Sequence, residues 1–197
     1  MNYLAHLHLA NDDGAFLVGN LMGDFVRGQV TRLALPEPMR AGIRLHRRID
    51  TLTDRHPATV RARRRLPHHR RMAGVLVDIA FDHFLARHWS RYSGERLERF
   101  TARSYAVLAA HACWLPPRLN RMLPRMAAED WLGRYRHPTT LKRVVAGLAR
   151  RASRPELLHG GAEEMLEHYD GLEADFHALF PDLEAAARQW RNSHGYH

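Results

Sequence analysis

Three aspartates stand in stretches otherwise almost free of charge. Asp78 and Asp82 lie in Val75-Leu-Val-Asp-Ile-Ala-Phe-Asp-His-Phe-Leu85, and Asp24 in Phe16-Leu-Val-Gly-Asn-Leu-Met-Gly-Asp-Phe-Val26. On a helix, positions four apart fall about 40° from one another, so Asp78 and Asp82 share a face. The apolar residues around them point in nearly every direction, which predicts a buried helix. Two neighbouring carboxylates in such a place repel each other and lose hydration, so a cation or metal is needed to keep them ionised. His83 follows directly, about a quarter turn or more away. Beside Asp24, Gly19 and Gly23 would admit another backbone at close range, each at a cost of about 1 kcal/mol in helix propensity.

A third stretch adds imidazole. His46 and Asp50 are four apart, at one margin of the apolar stripe Leu45, Ile49 and Leu52. Arg40, Arg44, Arg47 and Arg55 gather on the opposite side, with Arg48 at its edge. Near the N-terminus His6 and His8 alternate with Leu4, Leu7 and Leu9, and His6 is placed to point into the same core. Any one of these groups has an ordinary structural role open to it: a hydrogen-bonded core histidine, or an Asp50 or Asp54 paired with a neighbouring arginine. Their recurrence on apolar helices favours a shared site. Asp24, Asp78, Asp82, His83, His6, His46 and Asp50 are the candidate ligands. A carboxylate–imidazole set without sulfur suits Mn²⁺, Fe²⁺, Mg²⁺ or Zn²⁺, with a lean to the harder ions.

Other chemistries find no template. The chain has no Walker A loop, dinucleotide glycine fingerprint or His-Glu-x-x-His, and no Gly-x-Ser-x-Gly elbow. Cys113 is the only cysteine, so neither an intrachain disulfide nor a thiolate zinc cage is available.

The elements that must position these residues read as helices nearly throughout, with no sustained period-two alternation. Asn2 caps a first helix to about residue 10, and Asn11-Asp12-Asp13-Gly14 is a turn. A second helix is expected over 15–27, stopped by Gly28. Pro36 and Pro38 open a third, which runs to about Asp54 and ends before Pro57. A basic connector or short helix carries Arg61, Arg63, Arg64 and Arg65 ahead of Pro67. The most apolar helix spans about 70–91. Others are expected over 94–113, 118–135, 138–151 and 155–179, with a last one after Pro181. Without repeats or a long linker, residues 1–197 are expected to form one compact all-α domain.

Composition sets the boundaries. Hydrophobic residues make up 45% and charged residues 26%, an ordinary balance for a soluble globular chain. No apolar run approaches the roughly 18–20 residues a membrane span needs. The first residues lack the pattern of a secretory signal, so a cytoplasmic protein with no membrane partner is expected. The net charge is +9, with Lys142 the only lysine. That favours an anionic partner, and arginine can grip phosphate or carboxylate with two parallel hydrogen bonds. A GC-rich genome would give the same arginine and alanine content, so the charge alone decides little.

Taken together, Asn2-Tyr-Leu-Ala-His-Leu-His-Leu-Ala10, Gly19-Asn-Leu-Met-Gly-Asp-Phe-Val-Arg-Gly28, His46-Arg-Arg-Ile-Asp50 and Asp82-His-Phe-Leu-Ala-Arg-His-Trp-Ser90 resemble the acyl carrier protein phosphodiesterases. Weaker matches continue through Pro116-Pro-Arg118, Trp131-Leu-Gly-Arg-Tyr-Arg136 and His168-Tyr-Asp170, so the resemblance spans essentially the whole chain. It implies a helical fold diverged from the HD-type phosphohydrolases. It also implies Mn²⁺-dependent removal of 4′-phosphopantetheine from the acidic holo-acyl carrier protein. Ordinary HD enzymes carry adjacent His-Asp, whereas this chain offers Asp82-His83 and the spaced His46 and Asp50. On this reading Asp24, Asp78 and Asp82 hold metal, and His46 or His6 serves as general acid towards the serine oxygen. Arg27, Arg47 or Arg48 would bind the nonreacting phosphate oxygens, and Arg44, Arg47, Arg48, Arg55 and the 61–65 cluster would face the carrier protein. Two other readings are an HD-like hydrolase of nucleotides or small phosphodiesters, and a basic helical nucleic-acid binder. The second leaves the apolar-helix carboxylates unexplained, so no nucleic-acid partner is expected.

Overall fold

Backbone groups at the ends of the first two helices find partners in the residues that open them. Asn2 Oδ1 accepts from the Tyr3 N–H at 2.9 Å and Asp13 Oδ1 from the Phe16 N–H at 2.8 Å, each satisfying a donor a helix start leaves orphaned. The computed structural model describes residues 2–10 and 13–196, and among these it contains helices and turns but no strand. Asn11 and Asp12, half of the turn expected at 11–14, lie outside the described residues.

In chain order the helices are α1 (Tyr3–Leu9), α2 (Gly14–Met22), α3 (Glu37–Arg55), α4 (Pro57–Arg64), α5 (Ala73–Arg87), α6 (Trp89–Tyr92), α7 (Leu97–Ala110), α8 (Pro117–Ala128), α9 (Trp131–Arg134), α10 (Thr139–Ala149), α11 (Gly161–Glu167) and α12 (Tyr169–Ser193). The apolar α5 is the central rod, packed by α1, α4, α10, α11 and α12. Leu76, Val77, Ile79, Phe81, Phe84 and Leu85 are all buried on it. Phe81 and Phe84 meet Phe176 of α12 at ring-centroid distances of 5.8 and 6.0 Å. Among the described residues no helix is long and apolar enough to cross a membrane.

Helices α2 and α3 lie against each other backbone to backbone. A Cβ on Gly19 would stand 2.6 Å from Met39 Cα, and one on Gly42 2.6 Å from the Asn20 nitrogen. Ordinary contact begins near 3.4 Å, so both positions must be glycine for the helices to meet at this spacing. The close approach expected beside Asp24 is therefore present at Gly19. At Gly23 the neighbour is a side chain, His46.

Several boundaries differ from expectation. The second helix ends at Met22 rather than 27; Gly23–Phe25 forms a single 3-10 turn, and Gly28 adopts φ +86° beyond it. The expected 118–135 helix is two, divided at Asp130, which takes φ 42° and caps α9 through the Gly133 N–H. Residues 155–179 are also subdivided, into a 3-10 turn, α11 and the start of α12. Pro181 does not start a new helix: α12 runs through it for 25 residues. The residue lies on an exposed face, where water can satisfy the carbonyl its missing N–H frees.

Candidate active site

The tight α2–α3 pair presents its residues to α1, and the three helices build one cluster. His6 comes from α1, Asp24 from the turn after α2, and His46 and Asp50 from successive turns of α3. The His6 and His46 rings stack with centroids 3.8 Å apart. Asp50 bridges them, Oδ1 to His6 Nε2 at 3.2 Å and Oδ2 to His46 Nε2 at 3.0 Å. Asp24 Oδ1 lies 3.4 Å from the same His46 nitrogen.

Hydrogen bonds behind the cluster hold it in this arrangement. His46 Nδ1 faces the Asn20 carbonyl at 2.7 Å, and a carbonyl can only accept, so Nδ1 carries hydrogen. Nε2 is thereby directed at the carboxylates. The same Asn20 donates from Nδ2 to the His6 carbonyl at 2.7 Å, tying α1 to α2. From α5, Asp82 accepts the Leu4 and Ala5 N–H groups at 2.9 and 3.1 Å, capping α1 and fixing where His6 stands.

Electrostatics separate the two imidazoles. Burial holds His6 down at about 4, despite its bond to Asp50. Burial would also depress His46, but the Asp24 and Asp50 carboxylates outweigh it and raise it to about 9. For Asp50, burial would raise the pKa, yet the two histidines hold the carboxyl well below its usual range.

His6, His46 and Asp50 each offer a donor atom within 4.8 Å of the others and constitute a candidate metal-binding group. The donor set fits a divalent ion. The hydrogen-bonded Nδ1 of His46 fixes ring orientation as outer-shell partners of ligand histidines do. His6 Nδ1 and Asn20 Oδ1, both buried, have no hydrogen-bond partner among the described residues. Asp50 and Asp24 are partly exposed, with side-chain accessibilities of 39% and 44%, so the cluster opens to solvent on the carboxylate side.

The other expected site residues are distributed differently. Asp24 is exposed, not buried, because α2 stops at Met22 and the turn carries it to the surface. Asp78 is half-buried on α5; burial raises its pKa, and the Asp50 charge adds to the rise. Asp82 is fully buried and directed at the α1 N-terminus instead of the cluster. Burial pushes it up to about 7, against the lowering effect of the two N–H groups. His83 also lies apart: Nδ1 donates to the Tyr135 carbonyl at 2.6 Å, leaving Nε2 to accept from the Tyr169 hydroxyl at 2.7 Å.

The arginines divide between structural and open positions. Arg47 donates to the Gly28 and Val26 carbonyls at 2.8 and 3.4 Å, so it holds the segment that follows Asp24. Arg44 and Arg40 pair with Glu37, Arg61 and Arg65 clamp the buried Asp175, and Arg63 pairs with Asp54. Arg27 and Arg48 are exposed and pair with no carboxylate among the described residues.

Sequence reasoning overlooked Tyr3, Arg118 and Arg151. Burial raises Tyr3 to about 12; the charge of Asp24 adds to this, while those of Arg118 and Arg151 oppose it. Tyr3 thus stands within electrostatic reach of Asp24 and of the two arginines. The signal in the sequence is Pro116-Pro-Arg118, a segment within the family resemblance.

A family model described as acyl carrier protein phosphodiesterase matches residues 1–183. A protein of that name from Enterobacter sp. (strain 638) is 39% identical over 190 residues, covering 95% of this chain and 98% of the relative. Its namesake from Salmonella dublin is 39% identical over 189 residues, covering 95% and 97%. One from Salmonella agona is 38% identical over the same span. No solved structure matches.

Proposed function

Since the chain belongs to the acyl carrier protein phosphodiesterase family, we propose that it hydrolyses the phosphodiester between the serine of holo-acyl carrier protein and 4′-phosphopantetheine. The products are apo-acyl carrier protein and free 4′-phosphopantetheine. The observation that supports this most is the His6–His46–Asp50 cluster opening to solvent beside Asp24.

His6 and His46, through Nε2, and Asp50 would hold the ion, with Asp24 at the open side. Two nitrogens and hard oxygens without sulfur favour Mn²⁺ or Fe²⁺ over Mg²⁺, and Mn²⁺ is the ion we assign. When bound, the ion supplies charge neutralisation for phosphate oxygens and acidifies a water molecule. The residues of the chain supply the rest. Neutral His6 is ready to ligate, whereas the proton His46 shares with Asp24 and Asp50 must leave its Nε2 first. A ligand nitrogen cannot also act as general acid, so ligation by His6 and His46 moves that role elsewhere. Tyr3, a neutral phenol with its pKa near 12, is suited to donate a hydrogen bond to a phosphate or serine oxygen near Asp24. Arg27 and Arg48 are exposed to meet the acidic partner. Kinship with HD-type phosphohydrolases belongs to the same proposal, His46 and Asp50 serving as a spaced His–Asp pair.

The test is incubation of the purified protein with holo-acyl carrier protein and Mn²⁺, followed by mass measurement of the carrier protein. Loss of the phosphopantetheine mass, abolished by chelation and by Asp50→Asn, is expected. An unchanged carrier protein, with hydrolysis of nucleotides or small phosphodiesters instead, would overturn the substrate assignment.

A further inference from the structure

A second mixed cluster lies away from the first, and the proposed reaction does not use it. His88 caps the C-terminal end of α5, its N–H bonded to the Phe84 carbonyl. It stands ten residues beyond Asp78, about 15 Å along the helix axis. Glu173 and His177 are four apart on α12, so they project from one face towards it. His88 Nε2 lies 2.6 Å from Glu173 Oε1, and the His88 and His177 ring centroids are 4.9 Å apart. One donor atom from each of the three falls within 4.8 Å of the others.

We propose that His88, Glu173 and His177 form a second metal site, for a borderline divalent ion of which Zn²⁺ is the type. Two imidazoles and one carboxylate, with a fourth position open to water, make up a recurrent zinc donor set. Zinc–ligand bonds of roughly 2.0–2.2 Å require donors about 3.4 Å apart in a tetrahedron, so His88 and Glu173 must separate slightly and His177 approach. The side chains are partly exposed. A simple His88–Glu173 ion pair accounts for two of the residues but not for the second imidazole within reach of the same carboxylate.

His177 also has the outer-shell partner that ligand histidines take. Its Nδ1 is hydrogen-bonded to the Tyr92 hydroxyl at 2.7 Å, which leaves Nε2 as the nitrogen to ligate. Arg87, with Nε 3.9 Å from Glu173 Oε1, is the competing cation. Its hold is weak at that distance in a partly solvated place. An ion there would clamp the end of α5 to α12. This cluster repeats the two imidazoles and one carboxylate of the first but has no second carboxylate in the place of Asp24, so with one hard oxygen fewer it should prefer Zn²⁺, Co²⁺ or Ni²⁺ to Mn²⁺.

The experiment is titration of the metal-free full-length protein with Zn²⁺ against a chromophoric chelator. The proposal expects two equivalents for the wild type, one for His177→Ala and one for Glu173→Gln. Asp50→Asn should lose the other equivalent while keeping this one. Co²⁺ should give the visible absorption of a tetrahedral site, absent from His177→Ala. Circular dichroism identifies a variant that fails to fold, and the second substitution then decides. Unchanged Zn²⁺ stoichiometry in the folded His177→Ala or Glu173→Gln protein would overturn the assignment, as would a wild type whose only equivalent is lost in Asp50→Asn.

Discussion

Replacing Gly23 by alanine tests the geometry of the site through one methyl group. Gly23 has φ −50° and ψ −38°, a conformation alanine adopts without strain. On backbone grounds alone the change should stabilise by about 0.5–1 kcal/mol. The added Cβ, however, would lie 2.6 Å from His46 Nδ1, at least 0.8 Å inside the 3.4 Å at which ordinary contact begins, and the ring carbons would be nearer still. His46 has little freedom to retreat. It is 2% exposed, its Nδ1 is bonded to the Asn20 carbonyl, and its ring lies on that of His6. Forcing a methyl into such packing costs about 1–3 kcal/mol, and breaking the Asn20 bond adds about 1 kcal/mol. The clash therefore wins, with a net loss of roughly 1–3 kcal/mol in urea unfolding. A shift of His46 Nε2 by nearly 1 Å relative to Asp24 and Asp50 should lower kcat for carrier-protein hydrolysis about 100-fold. Gly147→Ala is the control, since its Cβ meets only Arg150 and Arg151 side-chain nitrogens at 3.7–4.0 Å. It should stabilise α10 by about 0.5–1 kcal/mol with activity intact. A Gly23→Ala protein as stable and active as the wild type would show that His46 does not stand where this packing puts it.

Three further predictions follow from separate contacts. Asp82→Ala leaves the buried Leu4 and Ala5 N–H groups without an acceptor and should cost about 2–5 kcal/mol in urea unfolding. Asp82→Asn should cost less and keep the metal stoichiometry of the His6 cluster; a lost equivalent would make Asp82 a ligand rather than a cap. At the α11 edge, His69 Nδ1 bonds Glu164 Oε2 at 2.5 Å. Burial would depress His69, but the His159 carbonyl and the Glu164 carboxylate outweigh it and raise its pKa. Burial would raise Glu164, but the His68 N–H and His69 lower it. The histidine's contribution is therefore full below pH 6.5 and lost as pH rises through its elevated folded value. That of Glu164 is full above 4.5 and lost as pH falls through its depressed one. His69→Ala should flatten the fall in unfolding midpoint on the alkaline side, and an identical pH profile would refute the coupling. Arg48→Glu should raise KM for the acidic carrier protein roughly fivefold at low salt, about 1 kcal/mol, with kcat unchanged. The difference should close at high salt, and a loss confined to kcat would instead place Arg48 on the reacting phosphate.

What helical spacing made legible was the geometry within single helices. The i, i+4 relation of His46 and Asp50, at the margin of an apolar stripe, survives as the core of the candidate metal group. The burial of α5 is nearly as direct, because a surface apolar in every direction has little need of solvent, and only Val75 near its start, 40% exposed, departs from it among the apolar residues. Partners between helices were not legible. For Asp82 the apolar surroundings predict a compensating cation or metal, whereas its observed partners are a pair of backbone donors 77 and 78 residues away. Every helix start leaves such donors, and no periodicity records which side chain reaches them. His83 met the same ambiguity with a carbonyl and a phenol. Asp24 shows the converse: its flanks are apolar because Leu21 and Met22 are core, while Gly23 makes way for the His46 ring and the chain turns outward one residue later. Apolar flanks thus identified an acid beside the core without saying that it faces water. For a hydrolytic site that placement is the useful one. Asp50 and Asp24 stand at the solvent edge, whereas a carboxylate sealed like Asp82 serves better to hold α1, and with it His6, in register.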